Sequence, residues 1–295
     1  MIDENINNEI KYEEYDTVVL SGGSTTGFIL LGALQHHYDQ KHITNNTINF
    51  IGTSVGSILT FLLCIGFTPI ELMVSLCTHD FMSKLENINI MNMVNGNGAT
   101  SWQPVHAELE KLTIDKIGYL PTLLDIHSKF KKNFCCPTYN LTEGRVEYLS
   151  YNNYPQLPCL TAIRMSSNLP LVFEKFKYGN NFYIDGGIID NFPVEFAQNL
   201  ELSNKILGIN IRSSNISDMN TESFVDLNFL EYLYKILWIS INDSINVRIK
   251  KCSEYCDILN IRPISDRKAF DFNITTAEKM NMFTHGFSVS KQWRK

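Results

Sequence analysis

The fold turns on residues 47–66, Thr-Ile-Asn-Phe-Ile-Gly-Thr-Ser-Val-Gly-Ser-Ile-Leu-Thr-Phe-Leu-Leu-Cys-Ile-Gly. Thr47 to Ile51 is a short apolar, β-branched run and reads as a buried strand. Ser57 to Ile65 reads as a buried helix that Gly66 closes. Between them stands Gly52-Thr53-Ser54-Val55-Gly56, the sequence form of a nucleophile elbow. So tight a turn has no room for side chains at Gly52 and Gly56. It pushes the Ser54 hydroxyl out at a helix N-terminus, where N–H groups and the helix dipole favour developing negative charge. Ile48 to Phe67 is also free of charged residues and near the length of a membrane span. Asn49, Gly52, Ser54 and Gly56 divide it more naturally into strand, elbow and helix.

A second glycine-rich turn lies upstream. Thr17 to Leu20 is strand-like, Ser21-Gly22-Gly23-Ser24-Thr25-Thr26-Gly27 follows, and Phe28 to Leu34 is an apolar helix. Consecutive glycines at such a turn leave main-chain N–H groups bare for a phosphate or for the oxyanion of an acyl-transfer intermediate. Neither G-x-x-x-x-G-K-[ST] nor G-x-G-x-x-G is present, which argues against phosphate.

Downstream, Asn181 to Ile184 is strand-like and ends at Asp185-Gly186-Gly187. Ile188 to Val194 then leads into a short helix, with Pro193 near its first turn. On its own, Asp185 would read as a turn former or N-cap.

Together the three pieces resemble the patatin-like phospholipase family. The family's glycine-rich oxyanion motif stands here as Gly22-Gly23-Ser24-Thr25-Thr26-Gly27, its G-x-S-x-G as Gly52 to Gly56, and its D-G-G/A as Asp185-Gly186-Gly187. Ala162 to Pro170 and Asp190-Asn191-Phe192-Pro193-Val194 match the connecting text, so the resemblance runs from about Thr17 to about His285. It implies a three-layer α/β/α fold with a mainly parallel central sheet. It also implies Ser54 as nucleophile, Asp185 as base, and N–H donors at Gly22, Gly23 and Ser24. Gly27, Gly52, Gly56, Gly186 and Gly187 would support the motifs. The implied substrate is a phospholipid or other acyl-ester lipid met by peripheral membrane contact, with no metal or organic cofactor.

The family's usual motif is G-G-G-x-[RK]-G. Here Ser24 replaces the third glycine and Thr26 the basic residue, so the positive charge beside the oxyanion is lost. That departure keeps a second expectation in view: a patatin-fold lipid-binding or host-interaction protein with weak catalysis. A Ser–His–Asp hydrolase would need His285, but His285 lies within a helical pattern rather than at a strand end.

With 295 residues and 44% hydrophobic content, the chain can bury the core of one large α/β domain, read as 17–290. A polar N-terminal tail (1–16) and a short basic C-terminal tail (291–295) flank it. A formal charge of −6 and the lack of a basic run argue against nucleic acid and predict little attraction to anionic membranes. The acidic start is neither a secretory signal nor a transit peptide. Seven scattered cysteines without zinc spacing predict free thiols in a reducing, cytoplasmic setting.

Elsewhere, Thr68-Pro69-Ile70-Glu71 is a capping box that starts a helix. Pro104 to Leu112 and Pro121 to Phe130 read as helices, and Lys84 to Gly98 as a loop or cover. A hairpin is expected around Thr142-Glu143-Gly144, strands at Ile206 to Ile211 and Ile258 to Ile261, and a closing helix from Thr276 to Val289. The polar loop Arg212 to Glu222 precedes a long helix, Phe224 to Ile249, whose apolar positions Leu230, Leu233, Leu237 and Ile241 read as core packing ahead of lipid contact.

Overall fold

Alternation along the central strands builds two cores on one sheet. Val18 and Leu20 point into one apolar cluster and Val19 into the other; Phe50 and Ile51 part in the same way, as do Cys136 and Cys135. Leu207, Ile209 and Ile211 join the first cluster and Ile206 the second. A strand that buries both faces needs helices on both sides, which gives three layers.

The computed structural model describes residues 14–79, 82–85, 89–95, 98–200, 203–212, 229–252, 254–264 and 272–293. In chain order the elements are β1 (Thr17–Leu20), α1 (Gly27–Asp39), β2 (Asn49–Gly52), α2 (Val55–Cys64), α3 (Pro69–Thr78), α4 (Ile90–Val94), α5 (Gln103–Ile117) and α6 (Leu123–Phe130). Then come β3 (Asn133–Asn140), β4 (Arg145–Leu149), α7 (Cys159–Ser166), β5 (Phe176–Tyr178), β6 (Asn181–Asp185), α8 (Gly187–Asp190) and α9 (Val194–Gln198). The last are β7 (Ile206–Ile211), α10 (Phe229–Cys252), β8 (Cys256–Ile261) and α11 (Thr276–Gln292).

The sheet order is β5-β6-β3-β2-β1-β7-β8, with β4 paired to β3. The run β3-β2-β1-β7-β8 is parallel, and β4, β5 and β6 make antiparallel pairs. The fold is α/β with a mixed, mostly parallel sheet. Register positions the site. Leu20 pairs with Gly52, so the turns after β1 and β2 leave the sheet side by side. Ile51 pairs with Cys135, and further along β3 Thr138 pairs with Asp185. The elbow after β2 and the end of β6 therefore come together across β3 at the same end of the sheet. Ligands of open α/β sheets bind outside the carboxyl ends of the strands, where these turns lie.

α1 and α11 meet at backbone contact. A Cβ on Gly32 would stand 1.9 Å from Phe283 O, and one on Gly286 2.0 Å from Ile29 O. The capping box expected at Thr68 forms as a hydrogen-bonded pair, and two more start α6 at Thr122 and α11 at Thr275. Tyr15, within the stretch read as tail, is buried and donates to Asp257 Oδ2 at 2.7 Å.

Two expectations need correction. Part of the supposed loop 84–98 is the helix α4, because the Asn89 side chain accepts the Asn92 N–H and caps it. In α10 the buried positions are Ile241, Ile245 and Cys252, whereas Leu237 is exposed. The helix is apolar on two faces: Tyr232, Ile236, Ile239 and Val247 make a second, exposed stripe. Ile241 is buried as the single-stripe reading expected, with Ile245 and Cys252 continuing its face, while Leu237 one turn earlier on that face is exposed. Residues 213–222 of the expected polar loop lie outside the described residues, as does the side chain of Leu230.

Candidate active site

Ser54 sits between β2 and α2 with φ 53° and ψ −123°, a backbone conformation that costs a non-glycine residue on the order of 1–3 kcal/mol. The glycines around it make the turn possible. A Cβ on Gly52 would lie 2.2 Å from Gly56 O, and one on Gly56 2.6 Å from Ser21 O. The elbow is held from three sides. Its Ser54 N–H donates to Ser166 Oγ at 3.2 Å, and its Thr53 hydroxyl donates to Asp190 O at 2.9 Å. The Ser57 hydroxyl donates to Ser54 O at 2.6 Å.

Asp185 ends β6 and is buried, 3% exposed. Its Oδ1 accepts the Gly187 N–H at 2.7 Å, and the nearby Ser54 hydroxyl favours its ionised form. Burial disfavours the ionised form and raises its pKa to about 6, against the smaller pull of those two groups. A carboxylate so tuned is half-protonated near pH 6 and a competent base above it.

The glycine-rich turn lies against the elbow. A Cβ on Gly22 would stand 3.3 Å from Ser54 Cβ and 2.3 Å from Asn191 Oδ1, so a side chain here would displace the Asn191 amide. Gly22 N–H donates to Asn191 O at 3.0 Å. That leaves Gly23 and Ser24, whose N–H groups donate to no acceptor recorded among the described residues. Ser24 is left-handed at φ 48°. The Thr26 hydroxyl donates to Gly23 O at 2.6 Å, so the residue that replaces the family's basic one pins the turn.

The loop after Asp185 ties the three motifs together. Asn191 O takes the Gly22 N–H and Asp190 O the Thr53 hydroxyl. The buried Asp190 carboxylate accepts from the Tyr148 hydroxyl at 2.6 Å and lies 3.5 Å from Arg248 Nη1 on α10. Sequence reasoning did not single out Tyr148 or Arg248, and it placed Ser166 only within the connecting segment Ala162 to Pro170, because their contacts reach across the chain.

Ser24 and Ser54 border a cavity of about 140 Å³ whose walls include Phe28, Leu31, Leu62, Trp102, Leu109 and Phe173. Glu108, also at its wall, is bonded to His79 Nδ1 at 2.7 Å. His285 is not part of this arrangement: its Nε2 lies 2.7 Å from Arg262 O, and it borders a different cavity of about 400 Å³ with Thr26 and Glu278. Among the described residues, no group of three or more His, Cys, Asp or Glu side chains has the geometry to hold a metal.

A hydroxyl at a strained strand–helix turn, a buried carboxylate facing it and bare N–H groups beside it define the class of α/β proteins built around an elbow serine. Residues 18–197 match the Patatin-like phospholipase family, and the chain belongs to it. The probable lipid hydrolase 463L of Invertebrate iridescent virus 6 is 35% identical over 194 residues, 64% of this chain and 65% of that protein. The uncharacterized protein R571 of Acanthamoeba polyphaga mimivirus is 26% identical over 96% of this chain and 95% of its own. Among solved structures, VipD from Legionella pneumophila is similar in fold, with a TM-score of 0.53 and 13% identity over 95% of this chain and 66% of that one. The chain thus spans just under two thirds of the viral hydrolase and of VipD.

Proposed function

We propose that this protein is a lipid acyl hydrolase of phospholipase A type that works through an acyl-Ser54 intermediate on a Ser54–Asp185 dyad. The observation that carries the reading is the Ser54 hydroxyl facing a buried Asp185 of raised pKa beside an apolar cavity. The family membership and the viral hydrolase relative support the substrate class.

Ser54 Oγ attacks the ester carbonyl carbon while its proton passes to Asp185. The carbonyl electrons move onto oxygen, where the Gly23 and Ser24 N–H groups receive them; each such donor is worth on the order of 10²-fold in rate. Gly22, with its N–H committed to Asn191 O, shapes the turn instead. Collapse expels the alcohol, which takes the proton from Asp185. Water then attacks the acyl-serine, gives a proton to Asp185, and the Ser54 oxygen leaves with it. The fatty acid is released and the dyad is restored. The acyl chain lies in the cavity between α1, α2 and α5, where burial contributes about 0.8 kcal/mol per methylene.

The lipid is met at a membrane surface by peripheral contact, and the seven free cysteines favour a cytoplasmic setting. Fatty-acid release from phosphatidylcholine in mixed micelles tests the reading. Wild type should turn over and Ser54→Ala should not; an inactive wild type that still binds the micelles would favour a lipid-binding protein.

A further inference from the structure

The C-terminal end of α7 lies between nucleophile and base and touches both. Ser166 Oγ accepts the Ser54 N–H at 3.2 Å, and Ser166 O accepts the Gly186 N–H at 3.3 Å. Two residues on, Asn168 O accepts the Asp185 N–H at 2.9 Å, and its Nδ2 donates to Tyr183 O at 2.8 Å. Five residues of chain thus hold the elbow on one side and the last turn of β6 on the other.

This segment is itself clamped by a buried cation. Arg164, 5% exposed, donates from Nη1 to Asn168 Oδ1 at 2.7 Å and from Nη2 to Glu174 O at 3.1 Å. Glu174 Oε1 lies 3.1 Å from the same Nη2. The guanidinium stands 5.1–5.6 Å from the ring centroids of Trp102, Phe173 and Phe176, within cation–π range. Trp102 and Phe173 also wall the cavity at Ser54. A charge this deeply placed must be fully partnered, and the planar fork meets several acceptors at once, as an ammonium cannot. Arg164 does not act on Asp185 through its charge: the carboxylate's shift comes from burial, Ser54 and Gly187.

We propose that Arg164, Ser166 and Asn168 are positioning residues that set the separation and facing of Ser54 and Asp185. Arg164 locks Asn168, Asn168 fixes the end of β6, and Ser166 fixes the elbow against it. None of the three touches the reacting atoms. Their effect is on geometry, where a misplacement of about 1 Å costs on the order of 10²-fold in rate.

The inference rests on the acyl-serine reading, so its test carries that reading as a control. Rates of fluorophosphonate labelling and of p-nitrophenyl ester hydrolysis are measured from pH 4.5 to 9 for wild type, Ser54→Ala, Arg164→Met, Arg164→Lys and Ser166→Ala. The expected result is a loss of about 10²-fold in kcat for Arg164→Met with KM nearly unchanged. Its acid limb should move below the wild-type value near 6 as the loosened strand end admits water to Asp185. Arg164→Lys should recover part of the rate, and Ser166→Ala, which removes one small acceptor and keeps the fold, should lose at least tenfold. Should Arg164→Met fail to fold, Ser166→Ala and Arg164→Lys decide on the same readouts. A folded set with wild-type kcat and an unmoved acid limb, differing only in Tm, would overturn the positioning role. A wild type that takes no label would sink the acyl-serine reading instead.

Discussion

The Ser54 hydroxyl faces the Asp185 carboxylate closely enough to draw its pKa down, and that carboxylate is buried to 3% exposure at the end of an antiparallel strand. Within the proposed mechanism this one contact sets the order of proton transfer, the pH profile and part of the stability of the fold.

Asp185 must be ionised to act as base. kcat/KM should therefore fall as pH drops through about 6, with unit slope below it. A pH–rate profile on a soluble ester checks this. An acid limb near 4 would mean that the working carboxylate is solvated.

The same shift has a stability consequence. A folded pKa raised from 3.8 to about 6 contributes stability below the unfolded pKa and loses it as pH rises through 6. At pH 7.5 the ionised, buried carboxylate costs roughly 3 kcal/mol. Asp185→Asn should thus abolish turnover yet raise Tm at pH 7.5, with the difference shrinking toward pH 4. Thermal melts at the two pH values decide it; equal destabilisation at both would show that Asp185 is a structural group.

His285→Ala should leave most of the activity, since its Nε2 is occupied by Arg262 O. An inactive His285→Ala beside an active Asp185→Asn would establish a histidine base.

The cavity at Ser54 measures about 140 Å³, close to the roughly 150 Å³ engineered cavity that takes benzene. Ester hydrolysis should improve as the acyl chain lengthens to about six carbons and then level off. A rate that keeps climbing to long chains would mean that the chain lies elsewhere or that the cavity opens.

Membrane contact should be weak and driven by apolar side chains such as Ile236 and Ile239 on the exposed stripe of α10. No single helix among the described residues is long and apolar enough to cross a bilayer. Liposome flotation tests this: Ile236→Ser with Ile239→Ser should reduce binding to neutral vesicles. Strong, salt-sensitive recruitment to anionic vesicles alone would contradict it.

The two turns at Gly22 and Ser54 were legible because each is a local pattern, strand then glycines then helix, and local sterics dictate its shape. The capping box at Thr68 is local in the same sense. What brings Ser54 to Asp185 is a register across β2, β3 and β6, and no spacing in the chain encodes it. The Gly22–Asn191 bond, which takes one of three expected oxyanion donors, is equally non-local. So is the hold of Ser166 on the elbow. In α10 the periodicity found the buried face at Ile241, but not that the same face stands exposed at Leu237, because how far along its length a helix is covered depends on its neighbours.

Mass spectrometry of the protein after fluorophosphonate treatment bears most directly on the central claim. The account predicts a single phosphonyl adduct on the peptide containing Ser54, lost in Ser54→Ala and slowed in Asp185→Asn. An adduct on another residue, or an unmodified Ser54 in protein that hydrolyses acyl esters, would contradict it.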